Sequence, residues 1–524
     1  MFGDVESVLF AKGLRSTDTG TIGYSRTVPG LQTEIYAGRY LAKSRVLMKF
    51  QPRLLLIPMG VIGFCFVFFQ LERRPGAFAN STTLGAILVL EIVIACVWRF
   101  ERTFFPAIMA CFLLPATALP GAAESFTVRW LFLGVGALFG LVIWMRSNRE
   151  KHFGVFHLIA LFCTISALAS ASASASPGTG TLKAASLFLL LLYASTGGRV
   201  ALAGREQAFV RGLMRACEVV VFFTFATYLV GYHVFGNPNN LGAAIAVVPV
   251  PVLLWGAMTA EDRGERRRRS VAVALCGILL YFTVCRAAIV ADAVVVVALM
   301  LSLRRPGILV KAAFAGALLL EIMAVANPSQ VDAVVDSMTG RFLYKVSGQS
   351  NGVFGSRRGP WDETIAAVKK HPWFGTGFGT SDLGSDRVGI QGSSIYTKEG
   401  SNREHGSSYL AITEYMGMLG ILPFLFLLAM VVRAAVQVFS WIRRTGSVAH
   451  YAVPFALIAT AGLVHAAFED WLFAAGSYLC LFFWVSAFLL IDLASPTTTA
   501  ARVRSSELPP PLAAAAFRSS TTSA

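Results

Sequence analysis

Charge is scarce in this chain: only 14% of its 524 residues are charged, where a soluble protein of this length carries about 25%. A water-facing surface cannot be covered with so few charges, so an ordinary soluble domain is excluded. Disulfide chemistry is missing as well. The eight cysteines lie in or beside apolar blocks, and none falls in the one long polar stretch, 327–408. Neither a disulfide framework nor a cysteine-based metal site can be read from such a distribution. The Gly-rich segment His371-Pro-Trp-Phe-Gly-Thr-Gly-Phe-Gly379 has no Gly-Lys-Ser/Thr and misses the dinucleotide spacing, so it does not read as a nucleotide phosphate loop. Residues 1–53 show no short apolar region of the cleavable-signal type. No convincing internal repeat is found.

Long apolar runs are abundant. Hydrophobic residues make up 55% of the chain, in blocks near 54–70, 84–98, 104–119, 128–145, 154–171, 182–197, 213–232, 240–259, 270–285, 287–303, 308–326, 409–432, 450–466 and 471–492. Such blocks suit a bilayer core of about 30 Å. The fold class expected is therefore all-α, a polytopic transmembrane bundle of about 12–14 spans. The expected organisation is a cytoplasmic tail at 1–53, a bundle at 54–326, an extracytoplasmic loop at 327–408, C-terminal helices at 409–492 and a disordered cytoplasmic tail at 493–524.

The formal net charge of +16 does not point to nucleic acid. Its surplus sits in short loops, such as Arg263 with Arg266 to Arg269, and Arg146, Arg149 and Lys151. Basic short loops stay on the cytoplasmic side. With the N-terminus inside, the loops at 99–102, 146–152, 198–212, 260–269, 304–307 and 433–449 fall inside and each carries Arg or Lys. Those at 120–127, 172–181, 233–239 and 467–470 fall outside and carry none; 71–83, with Arg73 and Arg74, is the exception. The 327–408 loop then lies outside, in a multi-pass membrane protein with a cytoplasmic N-terminus. It is nearly neutral and too long for a plain connector.

Within that loop, 360–370 reads as a short helix, with Pro360 at a first position. Asp362 and Glu363 suit its N-terminal end, and Lys369 and Lys370 its C-terminal end. Trp361, Ile365 and Val368 would share one face, packed on the membrane-facing body or, alternatively, stacked on sugar. Arg357 and Arg358 lead into it, as an anion clamp or as solvated charges. Arg286 stands where two spans meet; its planar fork suits a phosphate or diphosphate, and the competing reading pairs it with Asp292. Glu91, Glu218 and Glu321, near or within apolar spans, are proton-relay groups or paired structural acids. His405 has a pKa suited to proton transfer near neutrality, and Glu404 beside it orients the imidazole or acts as the base itself.

Four segments, taken in order, resemble the O-antigen ligase and O-antigen polymerase superfamily. Phe235-Gly-Asn-Pro-Asn-Asn-Leu-Gly242, which contains Asn239, resembles the family's Pro-Asn loop. Thr283-Val-Cys-Arg-Ala-Ala288 resembles its Ser-Arg-Gly motif, with Cys285 in the Ser place. Arg357-Arg-Gly-Pro-Trp361 through Pro372-Trp-Phe-Gly-Thr-Gly377 is similar to its Arg-x-x-x-Trp and Pro-x-x-Gly-x-Gly stretch. Glu404-His-Gly-Ser-Ser-Tyr-Leu410 through Gly417-Met-Leu-Gly420 is similar to its His-Asn-Ser-Tyr-Leu and Gly-x-x-Gly end. One departure stands out: His405 lies one residue earlier than the family's His, and Gly406 occupies the expected place.

The resemblance implies a membrane glycosyltransferase that takes its sugar chain from an undecaprenyl-diphosphate-linked glycan. It implies no cofactor and no metal. Catalytic roles pass to Arg286, Arg357, His405 and Glu404, and substrate binding to Arg358, Asn239, Trp361 and Tyr409. The product is a polymer of an exopolysaccharide or O-antigen, or, alternatively, a glycan ligated to a lipid A core or protein. The rival class is a polysaccharide flippase. The partners implied are the lipid-linked glycan, membrane lipid, a flippase and a chain-length regulator.

Overall fold

The computed structural model of the protein describes residues 81–146, 153–311, 355–380 and 405–494, with Cys65, Phe314, Leu318, Glu321 and Ile322 as single positions. The expected N-terminal tail, nearly all of the C-terminal tail and of the span at 54–70, most of the span at 308–326 and most of the long loop, Glu404 included, lie outside the described residues. Among the described residues the architecture is helical without strands: an all-α, polytopic membrane bundle.

The helices are α1 (Ser81–Trp98), α2 (Phe100–Leu113), α3 (Ala122–Arg146), α4 (Val155–Ser172), α5 (Pro177–Tyr193), α6 (Glu206–Leu229), α7 (Pro238–Val247) and α8 (Pro249–Thr259). They continue with α9 (Arg263–Thr283), α10 (Arg286–Ser302), α11 (Gly355–Lys370), α12 (Ser408–Gly420), α13 (Leu422–Thr445), α14 (Ala452–Ala466) and α15 (Tyr478–Ala494). Five stretches are long and apolar enough to cross a membrane: Ala122–Arg146, Val155–Ser172, Pro177–Leu202, Pro238–Thr259 and Leu422–Thr445. Shorter apolar helices stand at Gly85–Trp98, Ala452–Ala466 and Tyr478–Ala494.

Several boundaries differ from the sequence reading, each for a local reason. The stretch read as a loop from 198 is helical as far as Leu202, because a π turn at Ala194–Gly198 carries α5 onward. The block 240–259 is two helices broken at Val248, where Pro249 and Pro251 remove backbone donors. The block 409–432 is also two helices. Gly417, at φ 63°, kinks α12, and an added Cβ would stand 2.5 Å from the Trp373 backbone. Helix α11 begins at Gly355, so Pro360 lies inside it rather than at its start. Its buried face is Thr364 and Ala367 with half-buried Trp361 and Val368, while Ile365 is exposed. Small side chains at 364 and 367 let this face approach its neighbour, α12.

The last two helices form the centre. Nearly every residue of α14 and α15 is buried, and α14 packs against α7, α8, α10, α13 and α15. Apolar side chains on outer helices are exposed instead, among them Leu138, Val219 and Phe426, as lipid contact requires. The connection 467–477 between α14 and α15 therefore lies over the middle of one end of the bundle.

The two ends differ in charge. Tyr478 starts α15 at the end that carries 467–477; at the far end of the same helix Asp492 pairs with Arg199 at 2.5 Å. Arg199 also meets His157 Nε2 at 3.0 Å. At that far end α9 begins, with Asp262 capping it through Glu265 N at 2.8 Å. Glu218 is buried against Arg268 Nε (3.0 Å) and Arg269 Nε (3.5 Å), which gives it the structural role. Helix α13 finishes with Arg443 and Arg444 in its last turn, next to its negative dipole end.

Candidate active site

The connection 467–477 is held from several directions. Ser408, the first residue of α12, donates its hydroxyl to Glu469 O (2.7 Å) and accepts from Trp471 N and Leu472 N (3.0 Å each). The Ser408 amide donates to the same Glu469 carbonyl at 3.1 Å. Trp484 Nε1 donates to Leu472 O at 2.8 Å, and Arg129 donates to Gly476 O at 2.8 Å. The Arg129 guanidinium lies 4.7 Å from the centre of the Phe126 ring. Trp471 Nε1 donates to His465 Nδ1 at 2.9 Å, which leaves the imidazole proton on Nε2.

The fixed loop presents two carboxylates, Glu469 and Asp470. Arg357 of α11 is ion-paired to Glu469. Asp470 Oδ2 lies 2.7 Å from His405 Nδ1. The imidazole is 1% exposed, and its Nε2 stands 3.4 Å from Oε2 of Glu414, which is 0% exposed. That second approach is an ion-pair contact without hydrogen-bond geometry. Burial is the largest influence on the His405 pKa and acts to lower it. The hydrogen bond to Asp470 and the negative charges of Asp470 and Glu414 outweigh burial and raise the pKa to about 9. His405 is thus an imidazolium at neutral pH, held between two acids.

The surrounding backbone explains how α11 and the Gly-rich turn reach this point. Trp361 Nε1 donates to Gly406 O at 3.1 Å. Gly406 fits between Trp361 and Arg357: an added Cβ would meet Trp361 Nε1 at 3.1 Å and Arg357 Cδ at 3.2 Å. The kink of α12 at Gly417 redirects carbonyls of its preceding turn. Glu414 O accepts from Thr376 N (2.9 Å), and Tyr415 O accepts from Gly377 N (3.2 Å) and Ser170 Oγ (2.7 Å). Gly377, at φ 104°, closes on Ser174, where an added Cβ would lie at 2.0 Å. Lys183 Nζ donates to Gly379 O at 2.5 Å and lies within electrostatic reach of Asp470.

The sequence-derived residues thus fall into three groups. His405, Arg357, Trp361 and Tyr409 gather around 467–477; the Tyr409 hydroxyl donates to Leu463 O at 2.7 Å, tying α12 to α14. Arg286 and Asn239 occupy a neighbouring patch. Arg286 opens α10 two residues after Val284, a β-branched residue held at φ 52°, a strained backbone of the kind that clusters at functional sites. Cys285 packs on Gly242, where an added Cβ would meet its Cβ at 2.5 Å. Asn239 N donates to Asn237 Oδ1 at 2.8 Å. Asn240 O accepts from Tyr478 OH at 2.9 Å, which joins this patch to the 467–477 loop. Arg358 stands apart: its side chain is 81% exposed, 4.0 Å from Asp362. Successive helix positions point about 100° apart, so adjacent arginines diverge.

Sequence reasoning passed over Glu414, Glu469, Asp470, Lys183 and His465. A signal was present for most of them. Glu414 and Lys183 interrupt apolar spans, and Glu469-Asp470 is an acidic pair in a short break between two apolar blocks, each a functional candidate by the cost of burying charge in a membrane.

A cluster of acids, a histidinium and an arginine is thus fixed at one end of an apolar helical bundle, which makes it the candidate site. Residues 271–425 match the family model described as O-antigen ligase. That stretch, which contains Arg286, Arg357, His405 and Glu414, is what the chain has in common with the O-antigen ligase/polymerase superfamily, whose members are glycosyltransferase-like enzymes. No curated protein matches the chain.

Proposed function

We propose that the protein is a glycosyltransferase that polymerises polyprenyl-diphosphate-linked oligosaccharide repeat units on the outer face of a bacterial cytoplasmic membrane. The observation that carries this reading is the meeting of Arg357, His405 and three carboxylates over the central helices, within or beside the family-matched stretch. The orientation rests on charge. The end of the bundle opposite the site holds Arg199, Arg268, Arg269, Arg443 and Arg444, and basic segments stay cytoplasmic.

In this reading Arg357 and Arg286 receive the diphosphate. Breaking the sugar–phosphate bond leaves negative charge on the departing diphosphate, and fixed guanidinium groups in a water-poor site stabilise it. The acceptor hydroxyl attacks the anomeric carbon and gives its proton to the cluster around His405. Trp361 and Tyr409 hold the loops in register through their bonds to Gly406 and Leu463. Asn239 supports the Arg286 patch, and Arg358 meets the charged headgroup region. Undecaprenyl diphosphate is the carrier lipid, with a flippase and a chain-length regulator as working partners.

A second reading, ligation of the finished glycan to a lipid A core or a protein, is favoured by the description of the matching family. Purified protein supplied with a lipid-linked repeat unit, with and without a lipid A core acceptor, separates the two. Elongation without the core is the polymerase result; transfer only when the core is present is the ligase result. In cells, Arg286→Ala and Arg357→Ala should leave lipid-linked single repeats on the outer leaflet. Full-length polymer from both variants would exclude an enzymatic role for these arginines, and accumulation on the inner leaflet would indicate a flippase.

A further inference from the structure

Both ring nitrogens of His405 face carboxylates: Nδ1 faces Asp470 at 2.7 Å and Nε2 faces Glu414 at 3.4 Å. The ring is 1% exposed, so no lone pair is presented to a substrate. Glu414 is 0% exposed and lies behind the ring. Asp470 is different. Its side chain is 22% exposed, and among the described residues only Oδ2 is engaged, on His405. The loop that carries it is held by Ser408, Trp484 and Arg129, and its immediate neighbour, Glu469, is the ion-pair partner of Arg357. A carboxylate with one anchored and one open oxygen therefore stands one residue from the carboxylate that holds the leaving-group cation.

We propose that Asp470 is the catalytic base that takes the acceptor's proton, and that His405 is a positioning residue that anchors Asp470 through its Oδ2. This rests on the glycosyltransferase reading above. In the step, the acceptor O–H bond breaks and its proton passes to Asp470 Oδ1. The acceptor oxygen forms a bond to the anomeric carbon. The bond from that carbon to the diphosphate oxygen breaks, and its electron pair leaves on the diphosphate, facing Arg357. A carboxylate is basic enough for this, because the hydroxyl loses its proton as the carbon develops positive character, as in inverting glycoside hydrolysis. The groups facing Asp470 and His405 are Glu414 and Tyr415 from α12, Lys183 from α5 and the Glu469–Arg357 pair.

The experiment uses the full chain in lipid nanodiscs, with an undecaprenyl-diphosphate-linked repeat unit extracted from a strain lacking this protein. Transfer is followed by product length, and donor binding by retention of radiolabelled donor. Asp470→Asn should lower the transfer rate by about 100-fold or more while donor retention is unchanged, and Asp470→Glu should recover part of the rate. The wild-type rate should stay level between about pH 7 and 9, the range over which His405 begins to lose its proton. His405→Gln should lower the rate and leave that level profile unchanged. A wild-type rate that climbs about tenfold per pH unit between 7 and 9 would assign the base to His405 and overturn the proposal. Transfer by Asp470→Asn near the wild-type rate would overturn it too. The wild-type pH profile needs no variant to fold. Wild-type protein that retains donor and transfers nothing to any acceptor would remove the glycosyltransferase reading, and this inference with it.

Discussion

Arg357 and Glu469 show how one ion pair can link binding to chemistry. In the proposed reaction Arg357 receives the diphosphate, and in the structure its guanidinium is ion-paired to Glu469. A donor must displace Glu469 or share Arg357 with it, and the competition weakens donor binding. Glu469→Gln should therefore lower the KM for the lipid-linked donor by about 5- to 30-fold, the equivalent of about 1–2 kcal/mol. A KM equal to or above the wild-type value would show that the pair assists binding. His405 gives a second residue-scale expectation. Its folded pKa of about 9 lies above the ordinary 6.5, so its contribution to stability is fully present below about pH 6.5. That contribution is lost as pH rises through about 9. The melting temperature in detergent should fall across this window in the wild type and fall less in His405→Gln. Ser408 supports the same loop through one donated and two accepted side-chain hydrogen bonds. Ser408→Ala leaves the buried amides of Trp471 and Leu472 short of a partner, while Glu469 O keeps the backbone amide of residue 408, and should cost about 1–3 kcal/mol, read as a lower melting temperature.

At the scale of elements, the site exists because two helices are interrupted. Gly417 breaks α12 at φ 63°, and the freed carbonyls of Glu414 and Tyr415 take the amides of the Gly-rich turn. Gly417→Val adds a β-branched side chain where a Cβ already meets the Trp373 backbone at 2.5 Å. It should uncouple the 371–380 turn from α12 and abolish polymer formation, with the protein still inserted in the membrane. Wild-type polymer length from Gly417→Val would show that the kink is dispensable. Pro249 and Pro251 break the other span, between α7 and α8, leaving α7 free to carry the Asn239 turn against Cys285 and Tyr478. The sequence reading ran 240–259 and 409–432 as single spans and did not place these breaks. It did not say which carbonyls they release or what those carbonyls meet.

For the whole molecule, the arrangement of charge forecasts orientation. Arg358 is exposed on α11 at the site end, and Arg443 is exposed at the finish of α13 at the opposite end. In a chain with Cys65 replaced, Arg358→Cys should react with a membrane-impermeant maleimide in intact cells, and Arg443→Cys only after the membrane is opened. The reverse pattern would turn the bundle over and remove the proposed outer-face chemistry.

The amino-acid sequence alone determined that the chain is a helical membrane bundle, because apolar blocks of bilayer length and scarce charge leave no soluble solution. Ordered motifs around Arg286, Arg357 and His405 also marked the family stretch, since those residues are near enough along the chain to form readable patterns. The fold alone decided that Glu469 and Asp470, 65 residues beyond Glu404 and His405, would face Arg357 and His405. That meeting arises from the burial of α14 and α15 at the centre of the bundle, a consequence of packing between distant segments that no local spacing encodes.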